Sequence, residues 1–220
     1  MIKIENLSKT YNSKGGSVLA LNEISLSIEE GEFISIVGPS GSGKTTLLLC
    51  MGGLIHPSCG KVTIEGASIY DLDVKKRAIF RLRNLGFVFQ TFNLIPYLTA
   101  QENVEIPLSL AGTSDGTQSQ RATQLLEKLG LAGRLNHRPR ELSIGEQQRV
   151  AIARALANNP KIILADEPTG NLDPDTTNET VGYLKLLNQT GITVVMVTHN
   201  PGVADAAQRK LRLVGGRLVE

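Results

Sequence analysis

Scarcity is the first information in this chain. Only two cysteines occur in 220 residues, and Cys50 and Cys59 lack the paired Cys/His spacing of a zinc site, so they read as reduced thiols. The net charge is +2, from 23 Lys and Arg against 21 Asp and Glu, which provides no large basic field for gathering nucleic acid or anionic lipid. Any polyanion it binds must be small and locally held. The longest charge-free apolar run, "TTLLLCMGGLIHPSCG" at 45–60, is cut by Gly52, Gly53 and Pro57 and falls short of the ~20 residues of a bilayer span. No positively charged segment followed by a long apolar core is visible at the start, so a cytoplasmic location is expected, with membrane contact only through a partner. Internal repeats, low-complexity segments and heptads of coiled-coil length are missing too.

What is present suits one compact globular domain over 1–220, with 41% hydrophobic residues to fill a core. Apolar alternation in "MIKIENLSKTY" and "VLALNEISLSIEEGEF" predicts antiparallel strands, the second running on to "FISIV" at 33–37. "GKVTIEG" at 60–66 reads as a further strand of that region, and 74–84 has helical spacing. A strand "LGFVFQ" then ends in the polar Gln90. Helices are predicted over 99–110 and 118–129, joined by the loop "AGTSDGTQ". "KIILAD" and "GITVVMVTH" are almost uniformly apolar and β-branched, the pattern of strands covered on both faces of a parallel sheet. The tail "RKLRLVGGRLVE" reads as a hairpin about Gly215 and Gly216, with no regulatory extension after it.

Chemistry concentrates in "GPSGSGKTT", residues 38–46, which satisfies G-x-x-x-x-G-K-S/T directly after a strand and before an apolar helical run. Gly38, Gly41 and Gly43 let the loop through Pro39, Ser40 and Ser42 to Thr46 bend so that its N–H groups, which Pro39 lacks, face inward, and the helix start adds its dipole. Lys44 would neutralise β- and γ-oxygens of a nucleotide, and Thr45 would offer its hydroxyl to Mg²⁺. A glycine turn that binds nothing has no need of Lys44 and Thr45 at these offsets. The strand "IILADE" sets Asp166 at a carboxyl end, where open α/β sheets place ligands, as a second Mg²⁺ holder. Glu167 follows, within reach of a γ-phosphate, where a carboxylate can orient or deprotonate an attacking water.

With "LSIGEQQ" between the phosphate loop and "ILADEPTGNLD", and His199 after "TVVMVT", the chain resembles the nucleotide-binding subunits of ABC transporters along essentially its whole length. The resemblance implies a P-loop NTPase with a RecA-like parallel sheet core, an N-terminal antiparallel β subdomain and an inserted α-helical signature subdomain near 91–158. It implies ATP and Mg²⁺ as cofactors, Gln90 as Q-loop metal ligand and γ-phosphate sensor, Asp173 in the D-loop, His199 as the switch histidine and Tyr11 as the aromatic stacked on adenine. Plain structural readings stand beside these: Gln90 as a polar strand end, Tyr11 as surface packing, Asp173 as a helix cap before Pro174. Ser143 and Glu146 have capping-box spacing, which explains a stable helix start without any ligand. In the family that start, with the Ser143 hydroxyl and Gly145 N–H, faces the γ-phosphate held by a second copy, so that two ATPs are sandwiched head to tail. Ile144 departs from the family's usual glycine, and a β-branched residue there resists positive φ and crowds a close phosphate.

"FVFQTFNLIPYLTAQENVEIPLSLAG" and "ADEPTGNLD" are most similar to the branch of LolD-, MacB- and FtsE-type ATPases. That implies a homodimer on the cytoplasmic face of the membrane under a few-span permease with a large extracytoplasmic domain, and no nucleic acid. Phe92, Leu94, Ile95, Pro96 and Leu98 are candidates for the groove that takes the permease's coupling helix, or for core of the helical lobe. A soluble assembly ATPase with cytosolic partners is the alternative carrying the same motifs, and a signalling role is a third.

Overall fold

The computed structural model describes residues 2–13 and 16–219. Strands β1 (Ile2–Ser13) and β2 (Gly16–Ile28) pair antiparallel, as the alternation requires, with Leu21, Ile24, Leu26 and Ile28 directed inward from β2. β2 does not continue to "FISIV": the chain turns through Glu29–Gly31, with Gly31 at φ 72°, and β3 (Phe33–Val37) joins a different sheet. The cause is legible in the burial. β2 alternates between core and solvent, whereas the first four residues of β3 are all buried and need cover on both faces. After helix α1 (Lys44–Met51), strands β4 (Cys59–Ile64) and β5 (Ala67–Ser68) complete a four-stranded sheet in the order β2-β1-β4-β5.

Helix α2 (Val74–Asn84) starts on Asp73, whose side chain accepts from Lys76 N–H, and leads into β6 (Leu85–Phe89). α3 (Ala100–Leu110) follows the forecast span, but α4 (Asp115–Lys128) begins inside the predicted loop. Ser114 and Asp115 act there as helix-start residues, and Gly116 is tolerated in the first turn. α5 (Ile144–Leu156) completes the helical region, whose core of Val104, Leu108, Leu125, Leu126 and Val150 is continuous with one face of the main sheet.

β7 (Ile162–Asp166), α6 (Pro174–Gln189), β8 (Thr193–Thr198), α7 (Pro201–Ala204), β9 (Arg209–Val214) and β10 (Arg217–Val219) finish the chain. The second sheet runs β10-β9-β3-β8-β7-β6, parallel except for the terminal hairpin, where Gly215 and Gly216 both take positive φ as a tight two-residue turn demands. Successive residues of β7 and β8 feed opposite cores. Ile162, Leu164, Val195 and Val197 face the antiparallel sheet and α1, while Ile163, Ala165, Val194 and Met196 face the helical region. The uniform apolarity of both strands follows from this two-sided burial. The phosphate loop, Asp166 and His199 then fall together at the carboxyl edge of β3, β7 and β8.

Candidate functional site

Residues 38–46 form a tight loop from β3 into α1. Its approach to the framework depends on missing side chains: a Cβ on Gly38 would lie 2.1 Å from the Leu213 carbonyl oxygen, and one on Gly43, at φ 103°, 2.4 Å from that of Ala20. Lys44, buried at the first position of α1, folds its ammonium back to donate to the carbonyls of Gly38 at 2.8 Å and Pro39 at 3.0 Å. The loop is thus preorganised around a cation. Among the described residues, nothing accepts from the backbone N–H groups of Lys44, Thr45 and Thr46, which form the start of a helix dipole. They open on a cavity of about 380 Å³ lined by Ala20, residues 40–46, Gln90, Glu167 and His199.

Asp166 accepts a 2.9 Å hydrogen bond from the Thr45 hydroxyl. Burial, with a smaller contribution from neighbouring Glu167, raises its carboxyl above the usual range against the opposing pull of Thr45 and Lys44. A cation beside it would relieve that cost. Glu167 holds φ 44°, unusual for a residue with a Cβ, and is fixed there by its N–H donating to the Val197 carbonyl at 2.9 Å. Its carboxylate accepts from the His199 backbone N–H at 3.2 Å and contacts the His199 ring at Nδ1, 3.0 Å away. The two residues expected to carry the chemistry separately are one hydrogen-bonded unit. Gln90 follows β6 and is clasped by Asn171, whose amide donates to the Gln90 carbonyl at 3.0 Å. Gly170 has no room for a Cβ because Gln90 Nε2 would lie 2.7 Å from it.

The remaining candidates stand elsewhere. Ser143 is the N-cap of α5: its hydroxyl accepts from Glu146 N–H at 3.2 Å, and the Glu146 carboxylate accepts from Ser143 N–H at 2.7 Å. The Arg134 guanidinium, 2.8 Å from Glu146, joins that N–H in holding the Glu146 carboxyl below its usual range. Ile144 has ordinary helical backbone and is 52% exposed, so no positive φ is asked of it. Gly145 is pressed on α6, where a Cβ would meet Thr176 Cγ2 at 2.7 Å. Neither Ser143 nor Gly145 lines the phosphate cavity. Asp173 caps α6, accepting from the N–H groups of Asp175 and Thr176 and from the Thr176 hydroxyl. Tyr11 lies exposed on β1 opposite Val18, with the Lys9 ammonium 5.1 Å from its ring centre, and is not part of the cavity wall.

Three further residues organise the site without any local motif. Asn171 holds Gln90. Arg154, near the end of α5, donates to the carbonyls of Phe92 at 2.6 Å and Asn93 at 2.5 Å, both residues at positive φ. Gln148, fully buried in α5, donates to the Pro168 carbonyl at 2.6 Å. Gln148 does leave a trace in the sequence, a polar residue in the inward stripe between Gly145 and Ile152. An apolar groove of about 760 Å³ lies beside these, lined by Ile79, Leu82, Phe87, Pro107 and Leu110 with Arg154 at its wall. Phe92, Leu94, Ile95, Pro96 and Leu98 do not line it, and Leu94 packs on the helical core. α2 and α3 bring the exposed Ile79 and Leu110 to this groove, beside Phe87 of β6.

A glycine loop between a buried strand and a helix, with two successive carboxylates at the end of another parallel strand of the same sheet, defines a P-loop nucleoside triphosphatase core. The ABC transporter family model matches residues 21–170, and the chain belongs to that family. It is 49% identical over 220 residues to an uncharacterized ABC transporter ATP-binding protein of Methanocaldococcus jannaschii, covering 100% of this chain and 98% of that one. The macrolide export ATP-binding/permease protein MacB of Syntrophobacter fumaroxidans is 46% identical across 98% of this chain, which corresponds to 31% of that longer protein. Among solved structures, the ATP-binding cassette MJ0796, in a dimeric post-hydrolysis state bound to ADP and Pi, superposes with a TM-score of 0.93 at 47% identity, covering 100% of this chain and 97% of that one. The resemblance to the MacB branch and the antiparallel-plus-parallel sheet architecture agree with these matches.

Proposed function

We propose that this chain is the ATP-hydrolysing subunit of an ABC transporter complex, working as a head-to-tail pair that encloses two ATP molecules. The observation that carries it is spatial: the phosphate loop, Gln90, Glu167 and His199 share one cavity, while Ser143 and Gly145 stand outside it at a helix start whose first amides are open. In the pair, those amides and the Ser143 hydroxyl close over the γ-phosphate held by the other copy. Tyr11 supplies the adenine stack and Asp173 the contact across the pair.

Thr45 and Asp166 present oxygen ligands in mutual contact, and Gln90 can add an amide oxygen, the donor type a hard divalent cation takes. An Mg²⁺ held by these residues would supply Lewis-acid neutralisation of phosphate charge. Among the described residues no group of three or more His, Cys, Asp or Glu is placed to hold a metal ion. Lys44 exchanges its loop carbonyls for phosphate oxygens. Glu167 accepts the proton of the attacking water, and the His199 ring, held at Nδ1, faces the same cavity, where Nε2 donates to a γ-phosphate oxygen when it carries a proton.

Work is delivered through the apolar groove, which we assign to a short helix of a few-span membrane subunit; residues 91–158 serve as the helical subdomain that follows it. No helix among the described residues is long and apolar enough to cross a membrane. Binding to that subunit holds the chain at the cytoplasmic face. Glu167→Gln tests the reading: kcat falls on the order of 10²- to 10⁴-fold while ATP still binds and the pair persists in size-exclusion chromatography. A variant that stays monomeric at saturating ATP overturns it.

A further inference from the structure

α5 touches both halves of the proposed cycle. Its first turn carries Ser143, and a few residues on, about 1.5 Å of rise for each, Gln148 reaches the segment that carries Glu167. The Gln148 side chain is fully buried, its Nε2 donates to the Pro168 carbonyl at 2.6 Å, and its Oε1 has no hydrogen-bond partner. Proline has no N–H, so residue 168 itself offers only its carbonyl for a backbone hydrogen bond, while the Glu167 carbonyl accepts from Gly170 N–H at 3.0 Å. The grip matters because Glu167 is held at φ 44°, away from where its backbone rests most easily. Gly145 on Thr176 and Arg149 on Glu179, 3.0 Å apart, bind the same helix to α6, which begins just beyond the Glu167 turn.

A side chain that only filled space here could be apolar, whereas the buried amide of Gln148 is committed to the Pro168 carbonyl. We infer that Gln148 is a positioning residue that couples the two nucleotide sites of the pair. Docking of the partner's γ-phosphate at Ser143 moves the start of α5, and Gln148 carries that movement to Pro168 and so to the Glu167 carboxylate of its own chain. This inference rests on the two-copy reading above.

Gln148→Met in the full chain tests it, because methionine matches the length and volume and removes only the polar grip. Expected are a kcat lowered on the order of 10-fold or more, a KM for ATP near wild type and a thermal midpoint that does not fall. Adding Ser143→Ala to Gln148→Met should then cost less than Ser143→Ala costs alone, by the part of that loss which travels through α5, while the direct loss of the donor remains. Wild-type turnover in Gln148→Met, or losses that multiply as independent effects, overturns the coupling. If Gln148→Met does not fold, Gln148→Asn is read in the same way, and failure of both to fold assigns Gln148 to packing alone. Wild-type specific activity that does not rise with protein concentration would instead remove the two-copy reading, whatever Gln148→Met does.

Discussion

α3 and α5 open with the same device and end up with different exposures. At α3 the Thr99 hydroxyl accepts from Glu102 N–H at 3.1 Å and Glu102 accepts from Thr99 N–H at 2.7 Å; at α5 Ser143 and Glu146 repeat this at 3.2 and 2.7 Å. The next amides separate them. Ala100 and Gln101 donate to the carbonyls of His137 and Leu135, at 2.8 and 3.0 Å, so the start of α3 is closed by its own chain. The N–H groups of Ile144 and Gly145 have no such acceptor among the described residues. A capping box therefore settles only the third amide and the cap itself, and the first two decide whether a helix start is a joint or a seat for an anion. Openness alone is not a site, since α4 begins at Ser114 with no side-chain cap at all. At α5 the open amides come with a serine hydroxyl.

Removing the cap hydroxyl at each helix is the sharpest way to break this comparison. Thr99→Ala and Ser143→Ala should each cost about 1 kcal/mol of stability by chemical denaturation, because the lost bond is the same. Their ATPase rates should diverge: Thr99→Ala stays near wild type, whereas Ser143→Ala loses on the order of 10- to 100-fold, as loss of one donor to a developing oxyanion does. Equal rates in the two variants would make α5 a joint like α3.

Ile144→Gly sharpens it next. The helical backbone at Ile144 removes the concern about positive φ and leaves only the bulk of a half-exposed side chain at the open end. Glycine should cost about 0.5–1 kcal/mol in the helix, yet increase ATP-driven pairing, read by light scattering at fixed protein concentration. Opposite signs for stability and pairing are the signature. If hydrolysis rate and pairing both stay put, Ile144 does not restrain closure.

The comparison also shows which parts of the molecule could be read from the chain. The phosphate loop and the β7 carboxylates are contiguous, with one geometry required by Gly43, Lys44 and Asp166, so sequence spacing carried them. Strands β7 and β8 declared their two-sided burial by composition. The end of β2 was misread because "EEGEF" interrupts apolar residues without interrupting their frequency, and only the change from alternate to continuous burial marks the passage between sheets. Likewise "SDG" before α4 has the chemistry of a loop and of a helix start alike. Asn171, Arg154 and Gln148 escaped because each acts on the backbone of a segment distant in sequence, and a carbonyl acceptor leaves no mark on residue identity. Ser143 was legible as a cap, but the difference from Thr99 lies in the backbone carbonyls of Leu135 and His137, which leave no mark on residue identity.

The smallest effect belongs to Glu146, where α5 differs from α3 in a second way. Glu146 has an arginine partner that joins the Ser143 N–H in lowering its carboxyl pKa. A carboxyl depressed in the folded state stabilises at pH above its unfolded value, and this contribution drains away as pH falls from there through the folded value. Glu146→Gln keeps the reach of the capping box and loses the charge. At neutral pH it should be less stable than wild type by under about 1 kcal/mol, because Arg134 is half exposed and solvent screens the pair. Denaturation midpoints followed down the acid limb should therefore converge, the wild type losing its advantage while the variant, with no proton to take up there, keeps its own share. Curves that remain parallel into acid would mean that Arg134 contributes nothing and that the two helix starts differ only in their open amides.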